Sequence, residues 1–221
     1  MNNVRNVLFD LDGTLVDSSR TISTCIEYAL QQTGAVPDRE VQVRTLIGKP
    51  LLDIFRDVFS LTPAQTASAI GHYREHYDDL AQAGTEVYDS VHEMLSHLGQ
   101  GGYRLFIATV KPTPIAGKVL ADLQLRNHFE GIAGASMGPE RRDKTRIIAH
   151  ALRKFDLDPS QSLMIGDRDQ DILGARANRM SAIAVTYGFG SRNELISARP
   201  DHLVGHSKDI APLLMNRMRA E

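Results

Sequence analysis

Val7-Leu8-Phe9-Asp10-Leu11-Asp12-Gly13-Thr14 runs an apolar strand directly into two carboxylates, a glycine and a hydroxyl. Unpaired buried carboxylates are costly, so a buried strand that ends in two acids implies a need for negative charge there. Alternation along the strand predicts Asp10 and Asp12 on one face, with Leu11 turned away. Gly13 permits a sharp turn that a side chain would obstruct. The expectation is two oxygen ligands converging at the C-terminal end of a strand, suited to a hard divalent cation. Ligands of open α/β sheets bind at such ends. Other strand ends are polar in a coordinated way: Thr109 and Lys111 at the end of the run 103–109, the loop leading to Lys144, and Asp167 with Asp171 after the run 162–165. Each has a bland alternative. Thr109 can cap a helix, Lys144 can be a solvated helix-face lysine, Gly166-Asp167 can be a turn, and Asp171 can be a first-turn acid favoured by the helix dipole. Their joint appearance in this order argues for one site.

The elements that must position these residues are legible from periodicity. A strand is expected over 4–9, then a helix over 17–33 with Ile22, Ile26, Ala29 and Leu30 at helical spacing. Gly34 and Pro37 break it, and short helical pieces follow near 38–46 and 51–60. Thr62-Pro63-Ala64-Gln65 is a capping box with proline at the first helical position, so a helix should run from there to about Ala83. No strand is expected between 17 and 84. Beyond Gly84 the pattern changes to alternation: a helix near 88–98, a strand over 103–109, a helix capped at Thr113-Pro114, and strands near 131–135, 162–165 and 182–186. Helices at 142–155 and 169–179 separate the later strands, and Ser191-Arg192-Asn193-Glu194 is a further capping box. Such alternation predicts an α/β fold of βαβ units on a parallel sheet with right-handed crossovers, and an all-helical insertion after the first strand.

Bulk properties exclude several classes. The 221 residues can bury a full core, and 42% hydrophobic with 24% charged residues is ordinary for a globular protein. Lys and Arg total 25 against 27 acids, a net of -2, which argues against a dedicated nucleic-acid binder. No apolar run approaches the ~20 residues that span a bilayer, and Asp10 and Asp12 interrupt the only apolar run near the N-terminus. The lone Cys25 fits a reducing compartment and sits on an apolar helix face, so it reads as core. A cytoplasmic protein with no membrane partner is expected, and oligomeric state is not readable here. His72 and His76, one helical turn apart, read with Tyr73, Arg74 and Glu75 as an ordinary helix surface.

Taken together these segments resemble the haloacid dehalogenase superfamily, specifically its phosphatases with a helical cap inserted after the first motif. Asp10-Leu11-Asp12-Gly13-Thr14 matches the first motif, Thr109 the second, Lys144 the third, and Gly166-Asp167-Arg168-Asp169-Gln170-Asp171 the acidic fourth. The resemblance implies a doubly wound, Rossmann-like core from 1–16 and 85–221 and a helical cap over 17–84, hinged near Val16-Asp17 and Glu86-Val87. It implies Mg²⁺-dependent hydrolysis of a small phosphorylated metabolite through an aspartyl-phosphate. Asp10 would be nucleophile and metal ligand, with the backbone carbonyl of Asp12 and Asp167 completing the protein ligands; Asp171 would hold a metal-bound water or orient the lysine. Lys144 would neutralise Asp10 and the phosphate, while Thr109 and the Val110 N–H would bind phosphate oxygens. Asp12 would move the proton, which separates ester phosphatases from dehalogenases and phosphonate-cleaving relatives. Lys49, in Gly48-Lys49-Pro50, either reaches the substrate's polar end or is a solvated loop residue; Arg141-Arg142 either lines the site or is a surface pair. A phosphoglycolate-like substrate is expected, with a nucleoside 5′-monophosphate as the alternative, although Thr145 stands after Lys144 where many phosphoglycolate phosphatases have proline. A sugar-phosphate mutase is disfavoured because the segment after Asp17 lacks a histidine. A non-catalytic binding module is disfavoured because every motif residue is present.

Overall fold

In the computed structural model the described residues are 3–35, 42–80, 84–136 and 143–218. A parallel sheet is built from β1 (Asn6–Phe9), β4 (Arg104–Pro112), β5 (Gly131–Ala135), β6 (Ser162–Gly166), β7 (Ser181–Val185) and β8 (His202–Val204). Its order is β5-β4-β1-β6-β7-β8. The chain grows outward from β1 through β4 and β5, then crosses to the opposite side with β6. Strand order therefore reverses at β1, the place where open α/β sheets form a ligand crevice. β1 is hydrogen-bonded on both sides, Phe9 pairing with Ile107 and Ile165.

Both faces of these strands are apolar, as a doubly covered parallel sheet requires. Val7, Phe9, Leu105, Ile107, Leu163 and Ile165 pack beneath α4 (Val91–Gln100), α5 (Thr113–Asp122) and α9 (Ile210–Met218). Leu8, Phe106, Ala108, Met164 and Ala182 pack against α6 (Lys144–Lys154), α7 (Asp169–Ala177) and α8 (Arg192–Ala198) on the other face. Between β1 and the rest lie α1 (Ser19–Gln32), α2 (Leu51–Asp53) and α3 (Pro63–Leu80), which enclose a separate apolar cluster including Ile26, Phe55 and Tyr77. Cys25 is in it, and burial pushes its thiol up to about 12, consistent with an inert core residue. The two chain passages into and out of these helices pair as an antiparallel ribbon, β2 (Val16–Asp17) with β3 (Glu86–Val87). Among the described residues no helix is long and apolar enough to cross a membrane.

The capping box at Thr62 forms: the Gln65 side chain accepts from the Thr62 N–H at 3.1 Å and Thr62 Oγ1 accepts from the Gln65 N–H at 3.4 Å. The short helical piece expected near 51–60 forms as α2 continuing into a π-helical stretch Ile54–Val58 with Ile54 and Phe55 buried. Of the piece expected near 38–46, the described part is a 3₁₀ turn at Val43–Leu46. Other expectations are corrected. Thr113 does not cap α5; Pro112 occupies that position and the Thr113 hydroxyl accepts the Gly134 N–H at 3.0 Å, tying α5 to β5. Tyr73 faces the core rather than solvent. His76 stacks on Tyr28 with ring centroids 4.1 Å apart. The edge strand β8 and helix α9 had no counterpart in the sequence reading.

Candidate active site

β1 stops at Phe9, and the chain then winds into a tight turn in which the Leu11 carbonyl accepts from the Thr14, Leu15 and Val16 N–H groups. Gly13 has φ +85°, and a Cβ there would collide with the Asp167 carboxylate and Phe189. This turn ends the strand alternation. The Asp10 carboxylate pairs with Lys144 and the Asp12 carboxylate with Lys111, and of the two side chains Asp10 is the one that joins the acidic cluster described next.

Asp10, Asp167 and Asp171 are buried with ligand oxygens all within 4.8 Å of one another. Lys144, the first residue of α6 and also buried, places Nζ 2.9 Å from Asp10, 2.7 Å from Asp171 and 3.0 Å from the Ala108 carbonyl. It is not a solvated helix-face lysine. Asp167 accepts from the Phe189 N–H at 2.8 Å and the Thr14 hydroxyl at 3.3 Å. Three carboxylates against one ammonium leave an excess of two negative charges. Burial, then the Asp171 and Asp10 charges, push the Asp167 carboxyl well above its ordinary value. Burial raises Asp171 to about 6 against the opposing pull of Lys144. Burial alone would lower the Lys144 ammonium, but Asp10 and Asp171 more than offset it and hold it above the usual lysine value. A buried, all-oxygen, over-negative cluster fits a hard divalent cation.

Thr109 ends the regular part of β4, fully buried, and its hydroxyl accepts the Lys111 N–H at 3.2 Å. Register with β5 shifts between Thr109 and Pro112. Such a bulge re-aims side chains, here Lys111, whose Nζ donates to both Asp12 oxygens at 2.9 and 2.6 Å and lies 5.0 Å from the Tyr77 ring centroid. Burial opposes the Lys111 charge, yet Asp12 and then Tyr77 raise its pKa. Above this pair is a cavity of about 150 Å³, lined by Asp12, Val110 and Lys111 from the sheet and by Ile47, Lys49, Tyr73, Arg74 and Tyr77 from the helical insertion. Lys49 is exposed at its margin.

Asp10, Asp167, Asp171 and Lys144 thus form one cluster, with Asp12, Val110 and Lys49 on the adjoining cavity and Thr109 at the strand end between α6 and the Lys111 bulge. Arg141 and Arg142 lie outside the described residues. The sequence marks Lys111 only as a polar strand end and gives no sign of its partnership with Asp12, nor of the places of Tyr73 and Tyr77 on the cavity or of the contacts of Arg168 and Gln170 with segment 45–48.

Residues 7–185 match the family model described as haloacid dehalogenase-like hydrolase. The chain belongs to this family. The most similar relatives of this haloacid dehalogenase-like hydrolase include a Pseudomonas aeruginosa protein named 5′-nucleotidase, 35% identical over 94% of this chain and 93% of its own length. A Mycobacterium tuberculosis protein named tyrosine-protein kinase PtkA is also 35% identical, over 94% of this chain and 70% of its own. A Yersinia pseudotuberculosis phosphoglycolate phosphatase is 29% identical over 96% and 93%. The crystal structure of a predicted phosphatase from Clostridium acetobutylicum superposes with a TM-score of 0.91 at 30% identity, covering 96% of this chain and 99% of the other. The hydrolase and its structural neighbour thus share the full architecture, helical insertion included.

Proposed function

We propose that this hydrolase is a Mg²⁺-dependent phosphatase of small phosphate monoesters that works through an aspartyl-phosphate on Asp10, and that 1–16 with 85–221 form its catalytic core and 17–84 its cap. The observation that carries the reading is the Asp10–Lys144 pair at 2.9 Å inside a cluster with Asp167 and Asp171. Asp10 attacks phosphorus while the bond to the ester oxygen breaks, and Asp12 gives that oxygen its proton. Asp12 then takes a proton from water as the water attacks the aspartyl-phosphate, releasing inorganic phosphate and restoring Asp10. Lys144 offsets the repulsion between the Asp10 carboxylate and the phosphate. In the substrate-free protein Lys111 donates to both Asp12 oxygens and holds that side chain beside the cavity; one of the two bonds gives way to the proton that Asp12 carries into the first step and recovers from water in the second. The Thr109 hydroxyl and the Val110 N–H bind phosphate oxygens. Asp10, Asp167, Asp171 and, by the family pattern, the Asp12 main-chain carbonyl would hold Mg²⁺, which supplies the positive charge that lets a carboxylate approach a phosphate dianion.

For the organic part, the cavity lining of Ile47, Tyr73 and Tyr77 favours a leaving group that carries a flat ring able to pack on apolar and aromatic side chains, hence a nucleoside 5′-monophosphate. This reverses the order expected from sequence, and the 5′-nucleotidase relative supports it. Phosphoglycolate remains the second reading, favoured by Lys49 and Arg74 at the same cavity as partners for a carboxylate. The test is a kcat/KM panel with Mg²⁺ over nucleoside 5′-monophosphates, 2-phosphoglycolate and an aryl phosphate. Asp10→Asn should lose at least about 10³-fold on every substrate. Equal rates for wild type and variant would overturn the mechanism, and a preference for phosphoglycolate over all nucleotides would overturn the substrate order.

A further inference from the structure

Two side chains of the acid-bearing loop take no part in this chemistry. Arg168 follows Asp167 and Gln170 precedes Asp171. Arg168 is only 9% exposed. Its Nη1 donates to the Ile47 carbonyl and, at 3.3 Å, to the Thr45 carbonyl. Gln170 Nε2 donates to the Gly48 carbonyl at 2.6 Å. The segment 45–48, whose Ile47 and Gly48 border the cavity, is thus held through its main chain by the loop that carries Asp167 and Asp171. Gly48 suits this contact in two ways. Its φ is +93°, and a Cβ there would come within 3.3 Å of Arg168 Cγ and 3.4 Å of Gln170 Nε2.

The other end of Arg168 is fixed as well. Its Nε meets Glu194 Oε1 at 2.8 Å, and that oxygen also accepts the Asp169 N–H at 3.1 Å. Burial alone would raise the Glu194 carboxyl, but the hydrogen bonds from Arg168 and Asp169 hold it below its ordinary value. A guanidinium presents donors in a rigid fork. Here one prong is anchored to α8 and the other is committed to insertion backbone.

We propose that Arg168 and Gln170 are positioning residues that fasten the 45–48 segment to the Asp167–Asp171 loop. The wall that receives the leaving group is thereby held in register with the cluster that receives the phosphate. The inference rests on the phosphatase reading above. A segment already ordered before substrate arrives costs less to order on binding, so releasing it should weaken ground-state recognition more than it slows the chemical step.

The experiment measures kcat and KM with a nucleoside 5′-monophosphate for Gln170→Ala, Arg168→Met and Arg168→Lys, together with amide hydrogen exchange over 43–52 without substrate. Gln170→Ala should raise KM about fivefold and Arg168→Met at least about tenfold, with kcat held within about threefold. Arg168→Lys should recover only part of the loss, because an ammonium cannot fork between Glu194 and two carbonyls. Exchange over 43–52 should quicken while that of β1 and β6 stays unchanged. An unchanged KM and unchanged exchange in Gln170→Ala, the milder variant, would overturn the proposal; so would a fall in kcat at constant KM. If wild type hydrolyses no monoester, the phosphatase reading fails, while the exchange measurement still decides whether the fastening exists.

Discussion

On the sheet side of the cleft, Asp10, Lys144, Asp167 and Asp171 are buried charges that specify one another's positions. On the helical side, Ile47, Tyr73 and Tyr77 form an apolar wall whose placement depends on volume and on main-chain carbonyls held by Arg168 and Gln170. A buried charge tolerates no loss of its partner, because the group left behind bears the full cost of desolvation. An apolar wall tolerates exchange of similar volumes at modest cost. The same cleft should therefore respond steeply on one side and gradually on the other.

Lys144→Met breaks the charged side at its centre. The side chain is of similar length, but it leaves Asp10 and Asp171 facing each other without a cation. Removing one partner of a buried pair costs about 3–5 kcal/mol, and losing the ammonium beside the nucleophile should cost on the order of 10²–10³-fold in kcat. Urea unfolding of the metal-free protein and steady-state kinetics read the two effects. A variant as stable and active as wild type would mean that the carboxylates are balanced from elsewhere.

Asp171 sharpens the comparison through pH. Burial lifts its carboxyl from 3.8 to about 6, with Lys144 opposing and Asp10 adding to the rise. An acid whose folded pKa lies above its unfolded value binds its proton more tightly in the folded chain. Its contribution is complete below the unfolded pKa and lost as pH rises through the folded one. Metal-free wild type should therefore lose on the order of 2 kcal/mol relative to Asp171→Asn between about pH 4 and 6.5. Saturating Mg²⁺ should cancel that loss, since a bound cation replaces the proton. Denaturant midpoints across the pH series measure it, and a wild type that gains on the variant over this window would contradict the crowding.

The contrast also explains what could be read from sequence. Asp10 and Asp167 stand out in the sequence because each directly follows an apolar strand, whereas Lys144 and Asp171, in the first turns of α6 and α7, are marked only by their place in the family pattern. Strand alternation stops at Phe9, immediately before the two acids, so the different partners of Asp10 and Asp12, Lys144 and Lys111, do not follow from the strand pattern. Lys111 as the partner of Asp12 was hidden by the bulge between Thr109 and Pro112, which no local pattern announces. Tyr73 and Tyr77 sit in a helix whose sequence mixes polar and apolar residues around them, so their inward face was masked. The fastening by Arg168 and Gln170 reaches carbonyls, which every residue possesses, and nothing in segment 45–48 marks it as the receiver. Ser191 does cap α8 by accepting the Glu194 N–H, but the carboxylate expected to complete the box turns instead to Arg168.

The gentlest break lies farthest from the charges. Thr62 caps α3, the helix that carries Tyr73 and Tyr77, and its hydroxyl also donates to the exposed Gln65 side chain at 2.8 Å. Thr62→Ala removes that cap at a cost of about 1 kcal/mol, which for a chain of this size lowers Tm by roughly 2–4 °C. None of the groups assigned to phosphate chemistry touches Thr62, so kcat should stay at its wild-type value and KM should rise less than about twofold. Calorimetry adds a structural reading. A single transition that moves as a whole means that the helical insertion and the sheet unfold together. A leading transition that moves alone means that the apolar side of the cleft melts before the charged side. A fall in kcat approaching that of Lys144→Met would show instead that the two sides are not separable, because disturbing the start of α3 would then have reached Asp10 through the packing of the wall.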